Sequence, residues 1–322
     1  MGNNSCSPSP EMIDGIYMVG QAGGIIPDIT LDKVVSNYLS LNSSFALNHQ
    51  YSSIQGRLSK EQLAVLDNNL TSIFSKKTKV SYGGVGVVAL AMSFLLDTLV
   101  AGVLGQTETE LMDPYRRIFG PDNSSEVSRI TRDYLRRVPW MVNNSDLMAE
   151  ITDVYDQKLK LALIKLYESM AVEKRISTAA LKLWINGAAV HLHMRIHGIR
   201  LFSVPRGSAE SLRLSYRTGL GRLVQMYASY LRQNVKERAP TQEPPIKAGF
   251  LITEPNRKVR HRVAHISCQS QGIISAILSR ILAAQNIRAT ETFFEVAGRN
   301  IDKLIRQEEH FELPSRNTSS ST

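Results

Sequence analysis

The stretch that most constrains this chain is Val85–Leu104, VGVVALAMSFLLDTLVAGVL, whose twenty residues carry one charge, Asp97. A helix of that length spans about 30 Å, the thickness of a bilayer's hydrocarbon core. Asp97 opposes a span, since a carboxylate near the bilayer centre costs about 3 kcal/mol on insertion scales. Ala89, Ser93, Asp97 and Ala101 recur every four residues and share one face. A small-residue face lets a second helix approach closely and would set Asp97 against protein. The segment is therefore read first as a helix sheathed by its neighbours, and second as a permanent span. Gly84-Val85-Gly86-Val87-Val88-Ala89 also matches G-x-G-x-x-A. That motif binds dinucleotides only inside a βαβ unit. Polar, basic Lys76–Tyr82 is a poor buried strand to precede it.

Whether neighbours can sheathe such a helix depends on the other periodicities, and these are helical. Thr30 is placed to cap a helix carrying Leu31, Val34, Val35, Tyr38 and Leu41. Ser59 and Gln62 form a capping box before Leu63, Leu66 and Leu70. Ser124 or Ser125 opens a helix ending near Pro139. Ser145 opens a long amphipathic one to about Ala171, with Asp153 and Asp156 assigned to its polar face. A helix from Ser177 meets a turn or tight crossing at Asn186-Gly187, and Ala188–Leu201 follows. Another runs from about Ala209 to Lys236, and two more complete the chain. The fold class is all-α: a bundle of about nine or ten helices around residues 85–104. The expected organisation is a flexible segment 1–27, a main helical domain 28–236 and a Pro-rich linker 237–258. A C-terminal helical pair 259–310 and a disordered tail 311–322 follow. Glu11–Pro27 reads as a Gly-rich loop, and Asn42–Gly56 as a polar gap.

Charge narrows the function classes. The net charge is +9, and residues 172–262 alone hold seventeen basic and five acidic residues, or +12. Such a field attracts polyanions. Arg213, Arg217, Arg222 and Arg232 on the Ala209 helix, with Arg257 and Lys258 at the end of the linker and Arg260 and Arg262 just beyond it, are the candidate anionic-surface residues. Anionic membrane lipids or an acidic protein are the expected partners; nucleic acid is a further one. Gly2 and Cys6 are candidate acylation sites, although Cys6 stands where the acylation motif has Ser or Thr. Two cysteines, Cys6 and Cys268, exclude a disulfide framework.

No catalytic set emerges: G-x-S-x-G, Walker A, kinase and EF-hand patterns are absent. His193 and His197, and His261 and His265, are four apart and could each give two metal ligands, but a closed zinc site needs four. Exposed histidines there would titrate near neutrality. No cofactor is implied. The leading expectation is a non-enzymatic, membrane-associated helical protein on the cytoplasmic face. It would bind anionic lipid through 172–262 and carry an insertable apolar helix. The alternative is a soluble interaction or scaffold protein whose basic surface binds an acidic protein or nucleic acid. The third is a single-span protein with a cytoplasmic N-terminus, a side favoured by Lys76, Lys77 and Lys79.

Overall fold

The structure, a computed structural model, describes residues 9–22, 24, 26–74, 79–106, 114–119, 125–238, 249–252 and 270–313. It is an all-α bundle. In chain order the helices are α1 (Pro10–Ala22), α2 (Lys33–Tyr38), α3 (Ser43–Gln55), α4 (Lys60–Ile73), α5 (Gly86–Val103), α6 (Pro114–Phe119) and α7 (Glu126–Met141). Then come α8 (Ser145–Ala171), α9 (Thr178–Arg200), α10 (Gly207–Asn234), α11 (Ser270–Ala284), α12 (Ile287–Arg299) and α13 (Ile301–Ile305). Two short antiparallel pairs accompany them. β1 (Lys79–Val80) pairs with β4 (Phe311–Glu312), and β2 (Val235–Arg238) with β3 (Gly249–Ile252).

The chain divides into two compact units. One comprises Met1–Thr30, Tyr167–Lys182 and Thr218–Glu291; the other comprises Leu31–Leu166, Leu183–Arg217 and Thr292–Thr322. In the first, α1 packs against α11. Ile13, Ile16 and Tyr17 follow i, i+3, i+4 spacing and are buried, as are Ile273, Ile277 and Ile281 of α11. The Arg280 guanidinium lies 4.2 Å from the Tyr17 ring centroid and bonds Asp14. Gln285 ties the chain after α1 to α11, accepting from Ile29 N (2.7 Å) and donating to Pro27 O (2.6 Å). Of the segment read as a Gly-rich loop, Glu11–Ala22 is thus helical, its apolar spacing outweighing its glycines, while Gly24, Ile26 and Pro27 lie outside the helix.

In the larger unit α5 is central and contacts α2, α3, α4 and α7. Gly86 opens it at φ +52°, a conformation open to glycine, after Val85 in extended backbone. The Ser43 hydroxyl serves that entry, accepting from Gly86 N (3.2 Å) and donating to Gly84 O (2.8 Å). The motif Gly84–Ala89 follows a two-residue strand paired antiparallel to β4, so among the described residues the βαβ context it needs for a dinucleotide is not present. Among the described residues α5 alone is long and apolar enough to cross a membrane, and 61% of it is buried in the fold.

Other helices follow local chemistry. The Ser59–Gln62 capping box forms, with Ser59 Oγ accepting from Gln62 N and Gln62 Oε1 from Ser59 N. α2 starts two residues later than the Thr30 signal, because Asp32 accepts from Val34 N at 2.7 Å and is the N-cap. α3 occupies the expected polar gap, burying Leu47, Tyr51 and Ile54 from a mostly polar sequence. α7 begins after Ser125 and carries Pro139 inside its last turn. α9 runs unbroken through Asn186-Gly187. A Cβ on Gly187 would stand 2.7 Å from Val127 Cγ1 and 3.0 Å from Leu163 Cδ2, so this is a close crossing and not a turn. The start of the expected tail is a strand: Phe311 is buried and pairs with Val80.

Candidate functional site

The polar chemistry of the larger unit gathers on α9. Every residue from Leu183 to Arg200 is buried except half-buried Arg195, although His191, His193, His197 and Arg200 lie among them. A buried polar group costs free energy unless it is hydrogen-bonded. Two clusters follow from that demand.

The first joins α8, α9 and α10. Asp156 projects from α8 onto Arg195, which donates to it through Nε (2.9 Å) and Nη2. His191 Nε2 lies 3.2 Å from Asp156 Oδ1 and 3.0 Å from the Asp156 carbonyl oxygen. An ionised carboxylate needs a donor there, so Nε2 carries the proton and Nδ1 accepts from the Tyr216 hydroxyl at 2.5 Å. Burial by itself would raise the Asp156 pKa. Hydrogen bonds from His191 and Arg195, with the Arg195 charge, outweigh it and hold the carboxyl below its ordinary range. Burial drives the Tyr216 phenol up, with the Asp156 charge adding to it. The line Tyr216–His191–Asp156 resembles a proton relay in composition. Tyr216 and His191 are buried and the Trp184 ring lies edge-on to Tyr216, so the cluster works as an enclosed clamp between three helices.

The second lies one turn further along. His197 Nδ1 accepts from Arg200 Nη1 at 2.9 Å, and Arg200 Nη2 donates to Leu304 O at 2.6 Å. The Arg200 guanidinium lies 5.6 Å from the Tyr82 ring centroid, and that ring stands edge-on to His197. Tyr82, at φ +52°, is held by its N–H donating to His310 Nδ1 at 3.3 Å. Burial lowers Arg200 to about 10 against the opposing influence of Tyr82 and Glu309. Burial, then the Arg200 charge, lowers His193 to about 3, and the same causes carry His197 well below 6.5. Both rings are therefore neutral at physiological pH.

These positions correct two expectations. The α9 histidines are core residues and not surface ones, so the condition for a near-neutral surface switch is not met. Among the described residues no group of three His, Cys, Asp or Glu could hold a metal ion. Asp156 is not on the solvated face of α8, because α9 supplies two partners that compensate its burial. The signal for this was present: His191 and Arg195 share a face within an otherwise apolar run, and such residues require partners elsewhere in the chain.

The surface candidates fare unevenly. Arg213 is mostly covered, bonds Glu210 (Nε to Oε2, 3.1 Å) and lies across Gly298, so it is a packing residue. Arg217 pairs with Glu295 at 2.7 Å. Arg222 and Arg232 are exposed and form no ion pair among the described residues. Ala89, Ser93 and Ala101 are buried, and half-buried Asp97 accepts from Gln50 Nε2 at 2.7 Å. The Tyr38 hydroxyl donates in turn to Gln50 Oε1 at 2.5 Å. Gly2, Cys6, Arg257, Lys258, Arg260, Arg262, His261 and His265 lie outside the described residues. No family model matches the chain, and neither a curated protein nor a solved structure matches it.

Proposed function

We propose that the chain is a soluble, non-enzymatic interaction protein whose basic segment, 172–262, engages an acidic partner: an acidic protein surface or a nucleic acid. The observation that carries this reading is the concentration of +12 in that segment. Exposed Arg222 and Arg232, with no ion pair among the described residues, support it. The burial of most of α5 supports a water-filled surrounding for the folded chain, and the enclosure of both α9 clusters supports a binding role over a catalytic one. The test is retention of the full chain on polyglutamate and on single-stranded RNA across a salt gradient. Retention at about 50 mM salt that weakens steeply by about 200 mM is expected, as counterion release requires. Neutralising Arg222, Arg232, Arg257, Lys258, Arg260 and Arg262 to Gln should shift elution to lower salt. Passage of the unaltered chain through both columns at low salt would overturn the reading.

The second reading is peripheral attachment to an anionic membrane on the cytoplasmic side. The partly exposed C-terminal end of α5, where Leu104 is 44% exposed, favours it. Gly2 and Cys6 would be the acyl anchors. Sedimentation with phosphatidylserine vesicles, unmatched by either polyanion column, would favour this reading over the first.

A further inference from the structure

α8 buries one side of its length, with Met148, Tyr155, Asp156, Leu159 and Leu163 inward. Its opposite side is also apolar. Leu147, Val154 and Leu161 are seven residues apart, and Ile164 follows three residues later; their exposures are 40, 40, 58 and 43%. Single exposed apolar residues are normal on a surface. A seven-residue seam along one helix is instead the pattern that brings two helices together.

The charges beside this seam are polarised along the helix. Asp146, Glu150 and Asp153 flank its N-terminal half, and Lys158, Lys160 and Lys165 flank its C-terminal half, where Glu168, beyond Ile164, is the one acidic residue. A parallel second copy would set acid beside acid and base beside base. An antiparallel copy sets each acidic half against a basic half. We propose that α8 is a self-association surface through which two copies of this chain pair antiparallel. The seam defines a register. Leu147 of each copy packs on Ile164 of the other, Leu161 on the methylenes of Glu150, and Val154 beside Gln157. The same register brings Asp153 of each copy to Lys160 of the other along one edge. Lys165 holds an exposed 3.5 Å ion pair with Glu126 of its own chain, and Lys158 covers Tyr155, so Lys160 is the basic residue best placed to serve the second copy. One helix pair buries less than the roughly 1,600 Å² of a standard interface. Association is therefore expected at micromolar protein, not nanomolar.

Sedimentation equilibrium of the full chain from 1 to 100 μM tests this. The expected result is a reversible monomer–dimer equilibrium reaching about twice 35.9 kDa. Leu161→Glu should raise the dimer Kd at least about tenfold, the loss of a central apolar anchor, while leaving the thermal melt unchanged, because the side chain is exposed. Asp153→Lys should weaken the dimer, and Asp153→Lys with Lys160→Asp should restore it. That restoration is specific to the antiparallel register. A monomer at every concentration, a dimer indifferent to Leu161→Glu, or a charge swap that fails to restore association would each overturn the proposal. So would protection of Leu147–Lys165 that appears only with lipid vesicles or RNA, since it would give this face to another occupant.

Discussion

α5 and α9 make opposite bargains with the core. α5 carries a single charge, yet it is continuously buried only from Gly86 to Phe94; from Leu95 to Val103 only Leu96 and Ala101 are buried. α9 carries three histidines and two arginines between Leu183 and Arg200, yet only Arg195 among those residues is not fully buried. Hydropathy ranks them the other way round. Apolar composition states what burial would gain, roughly 25 cal/mol per Å². It does not state which helix the neighbours enclose. α9 is enclosed because Asp156, Tyr216, Tyr82 and the Leu304 carbonyl supply most of the partners its polar residues need. In α5 the exposed positions of the C-terminal turns are Thr98 and Gly102, while Leu95, Leu99, Val100 and Val103 are half-buried.

The comparison breaks most readily at Asp156. Asp156→Ala leaves Arg195 without its carboxylate and His191 with only the backbone carbonyl of residue 156, and should destabilise the chain by about 3–5 kcal/mol, read from urea unfolding. A loss under about 1 kcal/mol would mean that the cluster is hydrated and the clamp is not one. On α5, Leu96→Ala removes a wholly buried side chain and should cost about 2–5 kcal/mol. Leu104→Ala, at the exposed end, should stay within about 0.5 kcal/mol. Equal losses at the two positions would remove the asymmetry argued for α5.

Acid tests α9 in another way. His193 is protonated only below about 3 in the folded chain but near 6.5 when unfolded, and His197 is displaced in the same direction. The unfolded state binds more protons between these values, so stability rises with pH there and is lost progressively as pH falls below about 6.5. The His193 ring contributes a slope approaching about 1.4 kcal/mol per pH unit, and His197 acts in the same direction. A melting temperature unchanged from pH 7 to 5.5 would contradict their burial. His193→Asn, which does not titrate, should flatten that slope. The smaller effect expected within α9 is at its crossing. Gly187→Ala forces a methyl against Val127 and Leu163 and should cost about 1–3 kcal/mol.

Much of this architecture is legible in the residues. The Ser59 capping box, the span of α8, the Ser125 start of α7 and the apolar run of α5 all rest on local chemistry that tertiary contacts reinforce. Elements whose cues conflicted were harder to read. α1 has two glycines within a helical apolar pattern, and α3 hides Leu47, Tyr51 and Ile54 in a polar stretch. For side-chain roles set by distant residues, the sequence shows that a partner is needed but not which residue supplies it. Asp156 reads as a surface carboxylate until His191 and Arg195, 35 and 39 residues away, are placed beside it. Arg213 reads as a surface cation until Gly298, far along the chain, makes room for it.

Amide hydrogen exchange of the full chain in detergent-free buffer reads whether α5 is held in the folded core in water, as the proposed soluble role requires. Val87–Leu96 and Leu183–Arg200 should exchange only through the slowest, global opening, while Thr98–Val103 exchanges earlier from the frayed end of α5. Rapid exchange throughout α5, with protection gained only on adding phosphatidylserine vesicles, would contradict the account.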